Sequence, residues 1–200
     1  MLKTLIIKII LKLTIYQFNR IPQLIFKYDS WNCVPFIQRK YAVDIVRYLK
    51  QNKDMESVID IGCGTGDIIR RLPFKKKYGY DKHINVIRGL HFFSFFLNKG
   101  PPIITNQFNF SVDKLTGKYD AIIIIDFTQN IEPTILKETI NYYFKNNLRK
   151  NGVIITDTFY NDPDRKYSHD IINLIKYKHT IDEISNTDNG RVKVYSIKKI

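Results

Sequence analysis

One stretch, VIDIGCGTGDIIRRL at residues 58–72, constrains the fold of this chain more than any other. Val58, Ile59 and Ile61 are β-branched, which suits a strand buried on both faces. Gly62, Gly64 and Gly66 then fall at alternate positions, and Ile68, Ile69 and Leu72 follow at helical spacing. Strand, glycine turn and helix together point backbone N–H groups and a helix N-terminus at an anionic or polar ligand. Glycine suits such a turn because it accepts positive φ and lets a ligand approach the backbone. The bland alternative is a tight turn with no ligand.

The spacing separates several ligands. A dinucleotide fingerprint reads G-x-G-x-x-G, and its last glycine would fall on Asp67, a carboxylate that repels a pyrophosphate. A P-loop needs a lysine that is absent. What stands here is D-x-G-x-G-x-G, opened by Asp60. This pattern resembles motif I of the class I S-adenosylmethionine (SAM)-dependent methyltransferases. The resemblance implies that the loop of Gly62, Cys63, Gly64 and Gly66 passes under the methionyl part of SAM. Asp60 would support the loop and the ligand's ammonium. An acidic site fits a ligand that carries a sulfonium and an ammonium but no phosphate.

Further residues extend the resemblance. Asp81 ends a short strand 21 residues after Asp60. An acid at that interval can accept both hydroxyl protons of a ribose. Asn109 follows the expected third strand (101–108). It stands where the family commonly has an acid for the adenine amine, with Asn106 or Gln107 as alternatives. KYDAIIIIDFTQNIE (118–132) reads as a buried parallel strand that leaves Asp126 at its C-terminal end, where ligands bind in such sheets.

The remaining elements follow from pattern. Residues 35–49 predict an amphipathic helix with Val43, Val46 and Leu49 inward and Tyr41 available for a polar contact. Residues 84–100 predict a helix with an aromatic face of Phe92, Phe93, Phe95 and Phe96. Pro133 marks the start of the next helix, and 148–160 gives a strand. A helix is expected over 164–177. Two final strands flank the hairpin signal TDNG at 187–190. The expected fold is α/β: a doubly wound, Rossmann-like, seven-stranded sheet, mostly parallel, with a C-terminal antiparallel hairpin strand. The resemblance covers residues 35–200 as one methyltransferase domain, and residues 1–34 form an apolar, basic helical extension outside it.

The implied activity is methyl transfer from SAM to a small-molecule or glycan-type acceptor, by O-methylation. The alternatives are an RNA methyltransferase and a non-catalytic SAM-binding protein. A net charge of +13 permits an RNA partner. Against RNA stand its spread along the chain and the absence of an attached RNA-binding module. DNA is disfavoured because the amino-methylating [NDS]-P-P-[YFW] box is replaced by Asp126-Phe127-Thr128-Gln129. Related glycan enzymes often place a histidine just past the fourth strand. Gln129 stands there and cannot act as a base, so Asp126, Gln129 and His169 are the catalytic candidates. No metal site is expected: Cys33 and Cys63 lie far apart and form no ligand pattern. The cysteine usage and the lack of a signal-peptide cleavage site point to the cytoplasm.

Residues 1–30 carry five basic side chains and one acid, Asp29. Lys3, Lys8 and Lys12 interrupt an otherwise apolar run, which is too broken to span a bilayer. Peripheral membrane contact is one expectation for this segment. Packing on the domain or on a second subunit is the other.

Overall fold

The computed structural model describes residues 14, 17–98, 100–160, 166–170, 173–187 and 191–200. Its sheet has seven strands: β1 (Ser57–Ile61), β2 (Lys76–Asp81), β3 (Ile103–Gln107), β4 (Tyr119–Ile124), β5 (Leu148–Phe159), β6 (His179–Thr187) and β7 (Val192–Lys199). Their order is β3-β2-β1-β4-β5-β7-β6. The first five strands pair in parallel, and β7 runs antiparallel to both β5 and β6. The expected fold class is thereby found. Four helices accompany the sheet among the described residues: α1 (residues 17–26), α2 (Lys40–Gln51), α3 (Ile84–Leu97) and α4 (Pro133–Asn146).

Alternation along the central strands builds two cores. Ile59, Ile61, Ile122, Ile124 and Ile154 face α4, meeting Leu136, Ile140, Tyr143 and Phe144. Val58, Ala121, Ile123, Val153 and Ile155 face the other way, onto Ala42, Ile45, Val46 and Leu49 of α2. Because both faces are covered, all five residues of β1 are buried. α4 starts where Pro133 predicts, capped by the Glu132 carboxylate on the N–H groups of Thr134 and Ile135. β1 and β4 are neighbours, and the chain leaves them in opposite directions across the sheet. A topological switch point therefore lies at their C-terminal ends.

Two expected helices do not form. After the glycine loop there is only a 3-10 turn, Ile69–Arg71. Pro73 forces Leu72 to extended backbone (φ −85°, ψ 139°), and the few residues after Gly66 cannot nucleate an α-helix. Over 164–177 the described residues form no α-helix, and residues 161–165 and 171–172 lie outside the description. Tertiary bonds hold this segment extended instead. The Tyr167 N–H donates to the Gln129 carbonyl, and the Ser168 hydroxyl donates to the Phe159 carbonyl. The Thr158 hydroxyl donates to the His169 carbonyl. Of the hairpin turn at 187–190, residues 188–190 also lie outside the description.

Candidate active site

A cavity of about 1010 Å³ opens at the switch point. That is near the upper end for small-molecule sites, enough for a cofactor and an acceptor together. Its lining brings together Asp60, Gly62, Cys63, Gly64, Asp81, Asn109, Asp126 and Gln129 of the residues expected from sequence. Gly66 and His169 are not on it. Gly66 packs against the Leu90 side chain of α3. His169 is buried behind the 126–130 loop, its Nε2 against the Thr128 carbonyl.

The glycine loop itself differs from the expected arrangement. Four of its N–H groups are spent inside the protein. Gly62 and Cys63 donate to the Tyr80 carbonyl (2.8 and 3.1 Å), Gly64 to Asp81 Oδ2 (3.1 Å) and Gly66 to the Cys63 carbonyl (2.9 Å). With no α-helix behind it, the loop offers no helix N-terminus either. It is not an anion cradle. What it presents is carboxylate. Asp60 is buried, and no donor among the described residues reaches its side chain. Burial first, then the charges of Asp81 and Asp126, push its pKa well above the usual carboxylate range. A buried acid left this way is costly unless a ligand supplies a donor or a positive charge.

Backbone geometry explains the glycines. Gly62 has φ +71°, and a Cβ there would lie 2.6 Å from the Phe127 ring. Gly64 has φ +56°, and a Cβ would collide with the Asn32 amide. Asp67 is not the bare charge its position suggests. Arg39, Arg70 (2.8 Å) and Arg71 (3.2 Å) all pair with it. This knot fixes Arg39 on the cavity wall. Its Nη2 also donates to the Val34 carbonyl (3.0 Å), while its buried Nε has no partner among the described residues.

Across the cavity, Asp126 sits just past β4 with φ +67°, a left-handed conformation uncommon for a residue with a side chain. Asp157, fully buried near the end of β5, holds it there. Asp157 Oδ2 accepts the Asp126 N–H (2.7 Å), and Oδ1 accepts the Thr128 hydroxyl (2.8 Å). Burial and the Asp126 charge raise the Asp157 pKa to about 7. The Asp126 carboxylate accepts the Tyr41 hydroxyl. Gln129, 2% exposed, donates from Nε2 to the Asp126 carbonyl (2.8 Å). A carbonyl can only accept, so the amide nitrogen must face it, and Oε1 is left buried with no partner.

Asp81 braces the loop from below. Besides Gly64, it accepts the His83 N–H on Oδ1 (2.9 Å). Asn109 sits between Phe108 and Phe110 on the cavity wall, and its Oδ1 accepts the Ser111 N–H (3.2 Å). Gln107 turns away to the Lys82 carbonyl (3.0 Å), and Asn106 lines a separate, smaller cavity.

Sequence reasoning left Arg39 open, as outside or at a site, and missed the segment before it. Arg39 caps α2 with no side-chain bond to the helix, and Lys40 follows it. Two cations at a helix N-terminus oppose the helix dipole, a signal that an anion lies elsewhere. Residues 27–32 also line the cavity, through Lys27, Trp31 and Asn32. Tyr28 seats this segment by packing against Gly89 of α3. Among the described residues, no group of three or more His, Cys, Asp or Glu could hold a metal ion.

A family model described as a methyltransferase domain matches residues 35–197. Solved structures agree with the fold. Magnesium protoporphyrin IX methyltransferase from Synechocystis PCC 6803, with bound SAM, is 17% identical with a TM-score of 0.65, covering 82% of this chain and 80% of that one. The N-methyltransferase NodS from Bradyrhizobium japonicum WM9, bound to S-adenosylhomocysteine, is 12% identical with a TM-score of 0.66, covering 82% and 88%. A SAM-dependent methyltransferase from Clostridium acetobutylicum is 17% identical with a TM-score of 0.64, covering 92% and 98%. No curated protein matches the sequence. The family match over most of the chain, on a sheet of this order, shows that the chain belongs to the SAM-dependent methyltransferases.

Proposed function

We propose that this enzyme transfers a methyl group from SAM to a hydroxyl of a small-molecule or glycan-type acceptor. The observation that carries the cofactor reading is Asp60: a buried carboxylate on an open cavity, without a donor among the described residues, beside two more carboxylates. An ammonium and a sulfonium answer that arrangement, and a pyrophosphate does not. The other polar groups fit the same ligand. Asp81 offers two acceptor oxygens to ribose hydroxyls. Asn109, between two phenylalanines, offers an acceptor to the adenine amine. The unpartnered Nε of Arg39 suits the methionyl carboxylate.

Bound there, the cofactor supplies an electrophilic methyl on a positively charged sulfur. The protein's own part is to position the acceptor and receive a proton. Asp126 is the candidate base. Its backbone is fixed by Asp157, and its carboxylate is oriented by Tyr41. The proton that an acceptor hydroxyl gives up on methylation would pass to the Asp126 carboxylate. The unpartnered Oε1 of Gln129 can accept a hydrogen bond from the acceptor molecule. Proximity and alignment supply much of the rate in such a transfer.

The test is equilibrium titration with SAM, S-adenosylhomocysteine and NAD, followed by incubation of labelled SAM with small-molecule and glycan fractions and with RNA. Binding of the first two ligands and label in the hydroxyl-bearing fraction are expected. Tight NAD binding without SAM binding would refute the cofactor reading, and label confined to RNA would refute the acceptor class.

A further inference from the structure

We propose that the surface formed by α1 and the outer side of α3 docks on an anionic lipid surface. On α3, Phe95 is 84% exposed, and Phe96 and Leu97 are exposed beside it. On α1, Leu24 is 71% exposed, flanked by exposed Ile21 and Ile25. Ring contacts join the two helices. Phe18 of α1 meets Phe92 and Phe93 (ring centroids 6.3 and 5.9 Å apart), and Phe92 meets Phe96 (5.1 Å). Single exposed apolar side chains are ordinary, but a contiguous set of large ones on adjoining helices marks a contact surface.

Charge identifies the occupant. α1 and α3 contain no acidic residue, while Arg20 and Arg88 lie on them and Lys27 follows α1 directly. A second copy seated on this face would bring two sets of these like charges together, which costs affinity. An anionic bilayer offers apolar depth and negative charge at once, the combination that interfacial segments recognise. Among the described residues, no helix is long and apolar enough to cross a membrane. Lys27 and the half-exposed Trp31 continue from α1 onto the cavity lining. Docking here would hold that rim of the cavity at the lipid surface.

The experiment is co-sedimentation of the full chain with vesicles of phosphatidylcholine alone, or with about one-third phosphatidylglycerol. SAM affinity, melting temperature and sedimentation-velocity mass are measured on the same samples. The wild type should sediment with the anionic vesicles, less so at high salt, and not with the neutral ones. Two variants test the face: Phe95→Ser with Phe96→Ser, and Leu24→Gln with Ile25→Gln. Each should weaken vesicle binding at least tenfold while keeping the wild-type melting temperature and SAM affinity. Equal sedimentation with both lipids, or variants that bind anionic vesicles like the wild type, would overturn the proposal. A concentration-dependent dimer abolished by the same variants would assign the face to a second copy and overturn it too. The vesicle result is independent of the methyl acceptor, so its failure leaves the catalytic reading standing.

Discussion

Replacing Asp81 by Ala tests the cofactor assignment at its most exacting point. The carboxylate has two duties in the structure. It accepts the N–H groups of Gly64 (3.1 Å) and His83 (2.9 Å), and its remaining lone pairs face the cavity, where ribose hydroxyls would meet them. Hydrogen bonds to a charged group contribute about 1.5–3 kcal/mol. Loss of the ribose contacts alone should therefore raise the SAM dissociation constant roughly 10- to 150-fold. The two freed N–H groups should lower the stability of the apo protein by about 1–3 kcal/mol. Calorimetric titration with SAM and with S-adenosylhomocysteine, beside thermal melts, reads both effects. Both ligands carry the ribose, so both should lose affinity by a similar factor. Unchanged SAM affinity would refute the assignment. A loss confined to SAM would mean that Asp81 acts on the sulfonium charge instead of the ribose.

Four other outcomes are expected. SAM affinity should fall as pH drops through the raised pKa of Asp60, because the cation prefers the ionised acid and its binding displaces a proton; titration across pH in buffers of different ionisation enthalpy measures this, and a flat profile would contradict it. Asp157, with a folded pKa near 7, favours its protonated form in the fold, so its stabilising contribution is full below the ordinary carboxylate pKa of 3.8 and is lost as pH rises through about 7. Denaturant melts should show that loss in the wild type, and a shallower pH dependence in Asp157→Asn. Gly62→Ala should destabilise by at least about 1–2 kcal/mol from the positive φ alone and displace Phe127, read by melting temperature and SAM binding together. Arg39→Met should weaken SAM binding more than tenfold if Arg39 Nε meets the methionyl carboxylate; calorimetry with SAM and with methylthioadenosine, which lacks that carboxylate, separates this from a general loss of the site.

Much of the sheet was legible because its signals are local. β1 announces itself by β-branching, β4 by an unbroken apolar run, and α4 by Pro133 behind an acidic cap. Asp60, Asp81 and Asp126 could be located because each occupies the C-terminal part of its strand or the residue just past it, and a parallel sheet gathers those ends. The illegible parts depend on partners distant in sequence. Nothing near residue 169 reveals that Thr158 and Thr128 will hold it extended. Nothing near Arg39 shows that Asp67, 28 residues on, will fix it to the cavity. The short turn after the glycines was readable in principle: Pro73 follows too closely for the apolar spacing of Ile68, Ile69 and Leu72 to become a helix.

The bonding of the glycine loop bears on how such a site can change over evolutionary time. Asp67 is the most visible difference from a dinucleotide fingerprint, so Asp67→Gly looks like a one-step route to a new cofactor. The structure closes that route. The donors a pyrophosphate would need are already committed to the Tyr80 carbonyl and to Asp81. Removing Asp67 would also strand three arginines. Freeing the N–H groups requires the loop to shift against β2, and that shift disturbs Asp81, which holds Gly64. A change of cofactor here is a coordinated rebuilding of two strand ends, and single substitutions should yield weaker SAM binders before they yield a nucleotide site.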